Sequence, residues 1–408
     1  MKRLLPLLAL TILMGASAAT AQNYNITAPS GDGWTVPATA QKGDQVTIKY
    51  TGDKYVKNVK VVPRIESISI KPSCLTMLEG ETVNLSCKVA LYKNSVLTNV
   101  TDNEKFVTWS SSDLSILTVS EVGKVTALRE GEATITATSV NGKTDALTIT
   151  VKKIPSSYPE NCIAGVFKVG QCKHVIFSKG NLQYQPSTNT WRFADKQYTL
   201  LDDDETDYHT TTSYTPTSTD WIDLFGWGMW LDEITEKAKI TNTSTTNSQY
   251  APSLTDDNEF AENHRTVDGE QWLTLSLTEW SYLIKTRATT NGIRYTKAKV
   301  HGVNGLVLLP DTWNGTYTFA NQNTSGASFA EIANDDWVIL ESEGAVFLPA
   351  AGDRYGADVC GVGGHGRYWS STVRDAGSAH NLRFLSDLYL DQHCGRCFGF
   401  SVRLVRSL

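Results

Sequence analysis

Short runs of alternating apolar and polar residues fill the chain between residues 64 and 153. Val83, Leu85, Cys87, Val89 and Leu91 occupy every second position of one such run, which predicts a strand that turns Cys87 into a core. Comparable runs follow at a spacing of roughly eight to twelve residues, with Gly at the turns between them. This pattern predicts an all-β sandwich.

The segment before it, residues 22–63, carries the same alternation over a shorter length. Residues 45–50 alternate, residues 56–62 form a second predicted strand, and Pro63 ends it. A segment of this length buries too little apolar surface to be stable as a domain on its own.

The hydrophobic pattern changes at residue 154. Nine of the eleven Trp lie beyond this point, which indicates a large, irregular core with many loops. One helix is predicted where Ser276 and Glu279 make a capping box, with Trp280, Leu283 and Ile284 at helical spacing and Arg287 behind them. Strands are predicted over residues 305–309, 345–348 and 400–405.

Length indicates how many domains the chain has, and charge argues against a nucleic-acid-binding protein. A chain of 408 residues predicts two or three domains. The formal net charge is −6, from 43 acidic and 37 basic residues, without a basic block. A nucleic-acid-binding protein would need clustered Lys and Arg, so this class is not expected.

The first 21 residues have the features of a secretory signal peptide. Lys2 and Arg3 precede an apolar run over residues 4–14, and Ala19 and Ala21 flank a small-x-small cleavage site. A membrane span needs about 18 apolar residues, which neither this run nor any later segment supplies. The mature chain is therefore expected to be exported, to the cell surface, the extracellular space or the periplasmic side.

Seven Cys in an exported chain predict disulfides with one residue left over. Proximity in the sequence suggests the pairs Cys74–Cys87 and Cys162–Cys172, with Cys360 unpaired. Cys394 and Cys397 form a C-x-x-C, for which a local disulfide and two independent thiols both remain open.

Three motifs give the first domain a family resemblance. They are VTWSSS (107–112), GKVTAL (123–128) and GEATITA (131–137). Residues 64–153 resemble the bacterial immunoglobulin-like domain of the second group, a common spacer in surface adhesins. The resemblance implies a stalk and no chemistry.

Four further motifs give residues 154–408 a second resemblance. They are TEWSYL (278–283), VNGLVLLPDTW (303–313), RYWSST (367–372) and GFSVRLVR (399–406). Together they resemble a C-type lectin-like domain, similar to that of bacterial surface paralogues and of the variable proteins of diversity-generating retroelements. The resemblance implies an α+β fold whose final strands present a ligand-binding face.

Composition between the last two motifs fits the retroelement family. Adenine randomisation of Asn-type codons reaches every residue type except Trp, Gln, Met, Lys and Glu. Residues 370–398 contain none of these types except Gln392, which is then a framework position or a departure. Chance depletion in a short segment is the alternative. On this resemblance the candidate ligand-binding residues are Arg374, Asp375, His380, Arg383, Leu385, Asp387, Leu388, Leu390, Asp391, His393 and Phe398.

Strand parity gives an independent argument for the same surface. Leu382 and Phe384 fall on one face of a strand, and Asn381, Arg383, Leu385 and Asp387 fall on the other. If the first pair is core, the second set is exposed, and a mixture of apolar and charged groups in solvent is typical of a binding patch. A face covered by upstream loops is the alternative.

No metal, cofactor or catalytic group is predicted. His393, Cys394 and Cys397 supply one ligand pair and one flanking His, whereas a zinc site needs four ligands. The acidic run at residues 202–207 lacks the Gly of a calcium loop, so a solvated loop is favoured over a calcium site. The sugar-binding calcium motifs of animal C-type lectins are absent from the sequence.

The sequence therefore predicts a multidomain chain: a signal peptide (1–21), a short β segment (22–63), an immunoglobulin-like stalk (64–153) and a lectin-like head (154–408). The predicted function is non-enzymatic binding of a protein or glycan at a cell surface, without cofactors. Two alternatives remain: an enzyme on the fold of formylglycine-generating enzymes, and a structural fimbrial or envelope component.

Overall fold

The computed structural model describes residues 65–93, 96–101, 106–201, 214–230, 237–250 and 267–408, and before residue 65 the backbone of short strands. The chain divides into two compact units, residues 1–154 and residues 155–408. Both units consist mainly of β-sheet, and the helices of the described residues are short.

Six short strands, of which the structure describes the backbone, precede the domain that begins at residue 65. They are β1 Leu10–Ile12, β2 Asn23–Ile26, β3 Trp34–Thr35, β4 Thr39–Gln41, β5 Val46–Tyr50 and β6 Val61–Pro63. They form two small sheets, β1-β5-β3 and β4-β2-β6. The strand predicted over residues 45–50 is confirmed. Of the strand predicted over residues 56–62, residues 56–60 lie outside the described residues.

Residues 65–152 form three sheets, with strand orders β11-β10-β7, β12-β15-β16-β8 and β13-β14-β9. The strands are β7 Ile65–Lys71, β8 Thr76–Leu78, β9 Thr82–Asn84, β10 Ser86–Lys93, β11 Val96–Thr101, β12 Val107–Ser111, β13 Leu117–Val119, β14 Lys124–Ala127, β15 Gly131–Ser139 and β16 Thr144–Lys152. Cys87 and Val89 are fully buried while Lys88 between them is exposed. The predicted alternation is thus confirmed, although a break at Leu85 divides the predicted strand into β9 and β10.

The second unit, the head, contains short helices and many strands. The helices are α1 Lys237–Ile240, α2 Leu277–Ser281 and α3 Asn334–Ser342. The strands are β17 Phe167–Gly170, β18 Lys173–Phe177, β19 Leu182–Gln185, β20 Thr190–Phe193, β21 Tyr295–Val300, β22 Val303–Leu308, β23 Ala330–Ile332, β24 Val346–Pro349, β25 Asp353–Tyr355, β26 Asp358–Cys360, β27 Gly366–Asp375, β28 Ser378–Phe384, β29 Leu388–Gly395, β30 Phe398–Gly399 and β31 Val405–Ser407.

The capping box that starts α2 is confirmed. Ser276 Oγ accepts a hydrogen bond from the Glu279 N–H at 3.2 Å, and the Glu279 carboxylate accepts one from the Ser276 N–H at 2.8 Å. The helix continues as a π-helical turn, Tyr282–Thr286. Arg287 follows it, fully buried, and donates to the Asp311 carboxylate at 2.6 Å, which ties the helix to the loop after β22.

The sheet β27-β28-β29 separates two parts of the head core. Leu382 and Phe384 on β28 pack into a cluster with Phe177 and Trp280. Ala379, on the opposite face of the same strand, packs into the cluster that contains Trp369 and Phe400. Gly366 allows this sheet to form, because a Cβ there would lie 2.1 Å from the Phe384 ring.

The last strand of the head pairs with one of its first strands. β31 runs antiparallel to β18, with Val405 opposite Phe177 and Ser407 opposite Val175. The single strand predicted over residues 400–405 is wrong: β30 ends at Gly399, and residues 402–404 belong to no strand. Their side chains are buried, and the Val402 and Leu404 carbonyls accept hydrogen bonds from the Leu182 and Ser178 N–H groups.

The predicted cysteine pairs are wrong. Cys74 is disulfide-bonded, but Cys87 is a buried thiol, so these two are not joined. Cys172 is disulfide-bonded whereas Cys162 is a thiol, which excludes the second pair. Cys394 and Cys397 are both thiols, so the C-x-x-C forms no local disulfide, and Cys360 is an exposed thiol as expected. Nearness in sequence fails here because a disulfide needs two Cβ atoms within about 3.5–4.5 Å of each other in the folded chain, which a short sequence separation does not ensure.

Two predicted features fall mainly or wholly outside the described residues: the signal peptide at residues 1–21 and the acidic run at residues 202–207. In the part of the chain that is described, none of the helices has the length and apolar character that a bilayer crossing requires.

Candidate functional site

Two arginines and a tyrosine lie side by side across the sheet β27-β28-β29. Arg367 on β27 is the register partner of Arg383 on β28, and Arg383 is the partner of Tyr389 on β29. Register partners in adjacent strands point to the same face, and Leu382 and Phe384 occupy the opposite, buried face. The Arg383 guanidinium lies 5.9 Å from the centroid of the Tyr389 ring.

An acidic group holds the first of these arginines. Asp353 on β25 approaches Arg367 Nε at 3.2 Å with one carboxylate oxygen, and the same oxygen lies 2.8 Å from His365 Nε2. Burial lowers the pKa of Arg367, while the Asp353 charge opposes this shift. His365 packs over Gly361, whose φ of +70° and lack of Cβ leave room for the ring.

Aromatic side chains continue this surface on the neighbouring strands. Tyr355 on β25 pairs with Phe398 on β30, and their ring centroids are 4.7 Å apart. Phe398 lies 6.1 Å from Phe400, over whose ring the Arg367 guanidinium lies at 5.0 Å. Tyr355 and Tyr389 are 46% and 38% exposed, which is unusual for large aromatic groups. We refer to Asp353, Tyr355, Arg367, Arg383, Tyr389 and Phe398 as the Arg383 face.

A second polar cluster lies where His380 and His393 are register partners on β28 and β29. The His380 Nδ1 atom lies 3.2 Å from an Asp391 carboxylate oxygen, and the two imidazole rings are 6.2 Å apart. Burial lowers the pKa of His380, against the effect of Asp391, and His393 and Arg374 lower it further. No group of three or more His, Cys, Asp or Glu within the described residues is arranged to hold a metal ion.

The candidate residues from the sequence divide into several groups. Arg383 and Phe398 belong to the Arg383 face, whereas Leu388 is half-buried against the core cluster of Leu382 and Phe384 on the opposite face. Arg374 and Asp375 are exposed at the end of β27, where Asp375 accepts a hydrogen bond from the Gly377 N–H at 2.8 Å. Leu385 and Asp387 lie in the β28–β29 turn. His380, Asp391 and His393 form the second cluster.

Two placements predicted from the sequence are wrong. Leu390 was expected to be exposed, but it is buried in the core with Leu382 and Phe384. On β29 Tyr389 pairs with Arg383 and points outward, so the next residue, Leu390, points inward by ordinary strand alternation. Asn381 was also expected in solvent, yet it is fully buried, because its face is covered at that point.

Sequence reasoning missed Asp353, Tyr355, Arg367 and Tyr389. Tyr389 stands inside the segment that fits the variable alphabet and could have been found there. Arg367 stands in the RYWSST motif and was treated as framework. Asp353 and Tyr355 carry no signal in the sequence, because they reach the face only through the pairing of β25 with β30.

Three cavities that described residues line do not lie at the Arg383 face. One of about 400 Å³ lies beside Trp109 in the first unit, and two of about 120 and 110 Å³ lie beside Tyr317 in the head. None of these three is lined by the Arg383 face.

Comparison with known proteins identifies the first domain. Residues 64–151 match the bacterial Ig-like domain (group 2). A lacto-N-biosidase of Bifidobacterium bifidum is 42% identical over 77 residues, which are 19% of this chain and 6% of that protein. An uncharacterized protein of Clostridium acetobutylicum is 35% identical over 133 residues, 31% of each chain. The chain therefore spans less than a third of the length of these curated relatives.

Solved structures with partial similarity include two surface proteins. An intimin mutant of EHEC O157:H7 is 21% identical with a TM-score of 0.17, over 21% of this chain and 47% of that chain. Domains 4 and 5 of the S-layer protein SbsC are 19% identical with a TM-score of 0.17, over 31% of this chain and 79% of that chain.

Proposed function

We propose that this chain, whose residues 64–151 form a bacterial immunoglobulin-like domain of the second group, is a non-enzymatic binding protein exposed at a cell surface. The immunoglobulin-like domain acts as a spacer, and the head binds a ligand. The observation that carries the proposal is the Arg383 face, where short segments from several strands bring arginines and partly exposed aromatic rings together. Arg, Tyr and other aromatic residues are enriched where proteins bind partners.

The head is proposed to be a C-type lectin-like domain. Three observations support this: the pairing of β31 with β18, the burial of Tyr368 and Trp369 in the RYWSST motif, and the burial of Val402 and Leu404 in the GFSVRLVR motif. In this proposal the two motifs are framework, and the strands between them carry the recognition residues.

We further propose that a retroelement diversifies the residues between these two motifs. Most candidate variable positions, including Arg383 and Asp387, are at least partly exposed, which is where substitution disturbs folding least. Sequencing the flanking DNA tests it: a near-identical template copy of the final coding stretch beside a reverse transcriptase supports it. Their absence, with an invariant sequence over residues 370–398 across isolates, rejects it.

Binding by the Arg383 face can be tested with the full-length chain on protein and glycan arrays. Tyr355→Ala, Tyr389→Ala and Phe398→Ala should each weaken binding of the selected ligand by about tenfold or more, as at interface hot spots. Val338→Ala is the matched control, because Val338 is 61% exposed on α3, outside the face. Melting temperature is measured for each variant.

Three results would reject this function. Binding that survives all three aromatic substitutions places the recognition surface elsewhere. Equal losses in Val338→Ala indicate a non-specific effect. Turnover of a bound compound that stops on these substitutions indicates an enzyme.

A further inference from the structure

Positive charge exceeds negative charge on the Arg383 face. Arg367 and Arg383 are neighbours in the sheet, and the only carboxylate in the set is that of Asp353. Its ion-pair contacts are with Arg367 and His365. Arg383 contributes to the lowered pKa of Arg367, as expected for two like charges in proximity. This surplus contrasts with the whole chain, whose formal net charge is −6.

Nearby acidic residues act on other groups. Burial lowers the pKa of Lys297, and the Asp387 charge opposes this shift. Asp391 lies against His380. Among the described residues, neither makes an ion pair with Arg383.

The hydrogen-bond donors of Arg383 are unused within the described residues. A guanidinium carries five N–H donors. The Nε of Arg383 is buried without an acceptor, and the guanidinium lies over the Tyr389 ring. An unmet buried donor is unfavourable, and a carboxylate can accept two parallel hydrogen bonds from one guanidinium.

Aromatic groups surround this charge. Tyr389 lies against Arg383, and Tyr355 and Phe398 lie beyond Arg367. Rings around a charged pair exclude water and so strengthen its attraction. The combination of arginine with tyrosine and phenylalanine on a sheet surface is typical of the centre of a protein–protein interface.

We propose that the Arg383 face binds a protein partner through a carboxylate side chain of that partner, which pairs with the Arg383 guanidinium between the aromatic rings. The inference rests on the proposed binding function and specifies the chemistry of the ligand. Acidic glycans share the carboxylate and are the alternative that the test distinguishes.

The probes are poly-L-glutamate, polygalacturonate and poly-L-lysine, titrated against the full-length chain at low salt in a calorimeter. Poly-L-glutamate should bind despite the negative net charge of the protein, and any binding of poly-L-lysine, titrated on its own, should not depend on Arg383. Arg383→Gln should weaken poly-L-glutamate binding about tenfold, the usual effect of losing a charge-assisted hydrogen bond. Lys285→Gln, which removes one charge from an exposed residue outside the face, should not change it.

A second variant covers the case in which Arg383→Gln fails to fold. Asp353→Asn removes the one carboxylate of the face and should tighten poly-L-glutamate binding, because Arg367 then becomes available as well. Native melting of each variant is checked first.

Several results overturn the proposal: no binding of poly-L-glutamate to the unmodified chain, equal losses in Arg383→Gln and Lys285→Gln, or weaker binding in Asp353→Asn. Preference for polygalacturonate with the same dependence on Arg383 assigns the face to an acidic glycan instead. If the array ligand is neutral yet still needs Tyr355 and Tyr389, the carboxylate inference fails while the binding function stands.

Discussion

Neighbouring residues on β28 have opposite environments, and this determines what each can do. Leu382 and Phe384 are fully buried, while Arg383 between them is partly exposed. The core positions that alternation predicted, Leu382 and Phe384, are confirmed by their burial, and Trp369, Val402 and Leu404 are buried as well. Substitutions in this strand should therefore separate stability from binding.

Leu382→Ala and Arg383→Ala form a matched pair for this separation. Leu382→Ala should lower the free energy of unfolding by about 2–5 kcal/mol, since it leaves a cavity in the core. Arg383→Ala should change it by about 0.5 kcal/mol or less, as at an ordinary surface site. Chemical denaturation of both variants measures the difference. Similar losses for the two would place Arg383 in the core and contradict the assignment of the face.

The β28–β29 turn is held by a lysine from another sheet. Lys297 on β21 is buried, and its ammonium donates to the Leu385 and Ser386 carbonyls at 2.6 and 2.8 Å. It also donates to the Ala327 carbonyl, which joins the turn to the loop before β23. Within that loop, Ser325 accepts a hydrogen bond from the Leu388 N–H at 2.8 Å. The turn that leads to Tyr389 is thus fixed by contacts outside its own hairpin.

Lys297→Met should loosen this turn. Its carbonyl acceptors lose their buried donor, which costs about 1–3 kcal/mol, and amide exchange over residues 385–390 should accelerate. Lys299→Met is the control on the same strand: its ion pair with Glu331 is exposed and contributes about 0–1 kcal/mol. Hydrogen exchange with peptide-level detection distinguishes them. Unchanged exchange in Lys297→Met would mean that the turn is stable without the lysine.

Strands and helices were predictable where a single local pattern, such as strand alternation or a capping box, continues over the whole element. Alternation identified β5 and the buried positions of β28, and the Ser276–Glu279 box identified the start of α2. Prediction failed at Leu390, whose facing is set by the register of β29 against β28, and at residues 402–404, which are buried without forming a strand. Such features depend on partners distant in the chain, as do the Asp353 and Tyr355 contributions to the face. Local sequence patterns do not encode these pairings.

At the scale of the whole molecule, the head has a hydrophobic core of its own, as an independently folding domain requires. Its hydrophobic clusters are made from residues 162–405 alone. A fragment of residues 155–408, kept in reductant, should therefore unfold in one cooperative transition in calorimetry. Removing residues 405–408 as well should abolish that transition, because β31 completes the sheet with β18. An aggregated or non-cooperative 155–408 fragment would show that the head needs the preceding residues.

The pairing of β18 with β31 also means that the order of the strands along the chain of the head could be changed by circular permutation. Since Val175 lies opposite Ser407, the last strand of the domain is the neighbour of its second strand, β18, and a peptide linker could connect the two ends of the domain. Domains with adjacent termini tolerate circular permutation when the new break falls in an exposed segment. The strands β27 to β29 could then be moved to the beginning of a permuted domain, with the contacts of the Arg383 face kept.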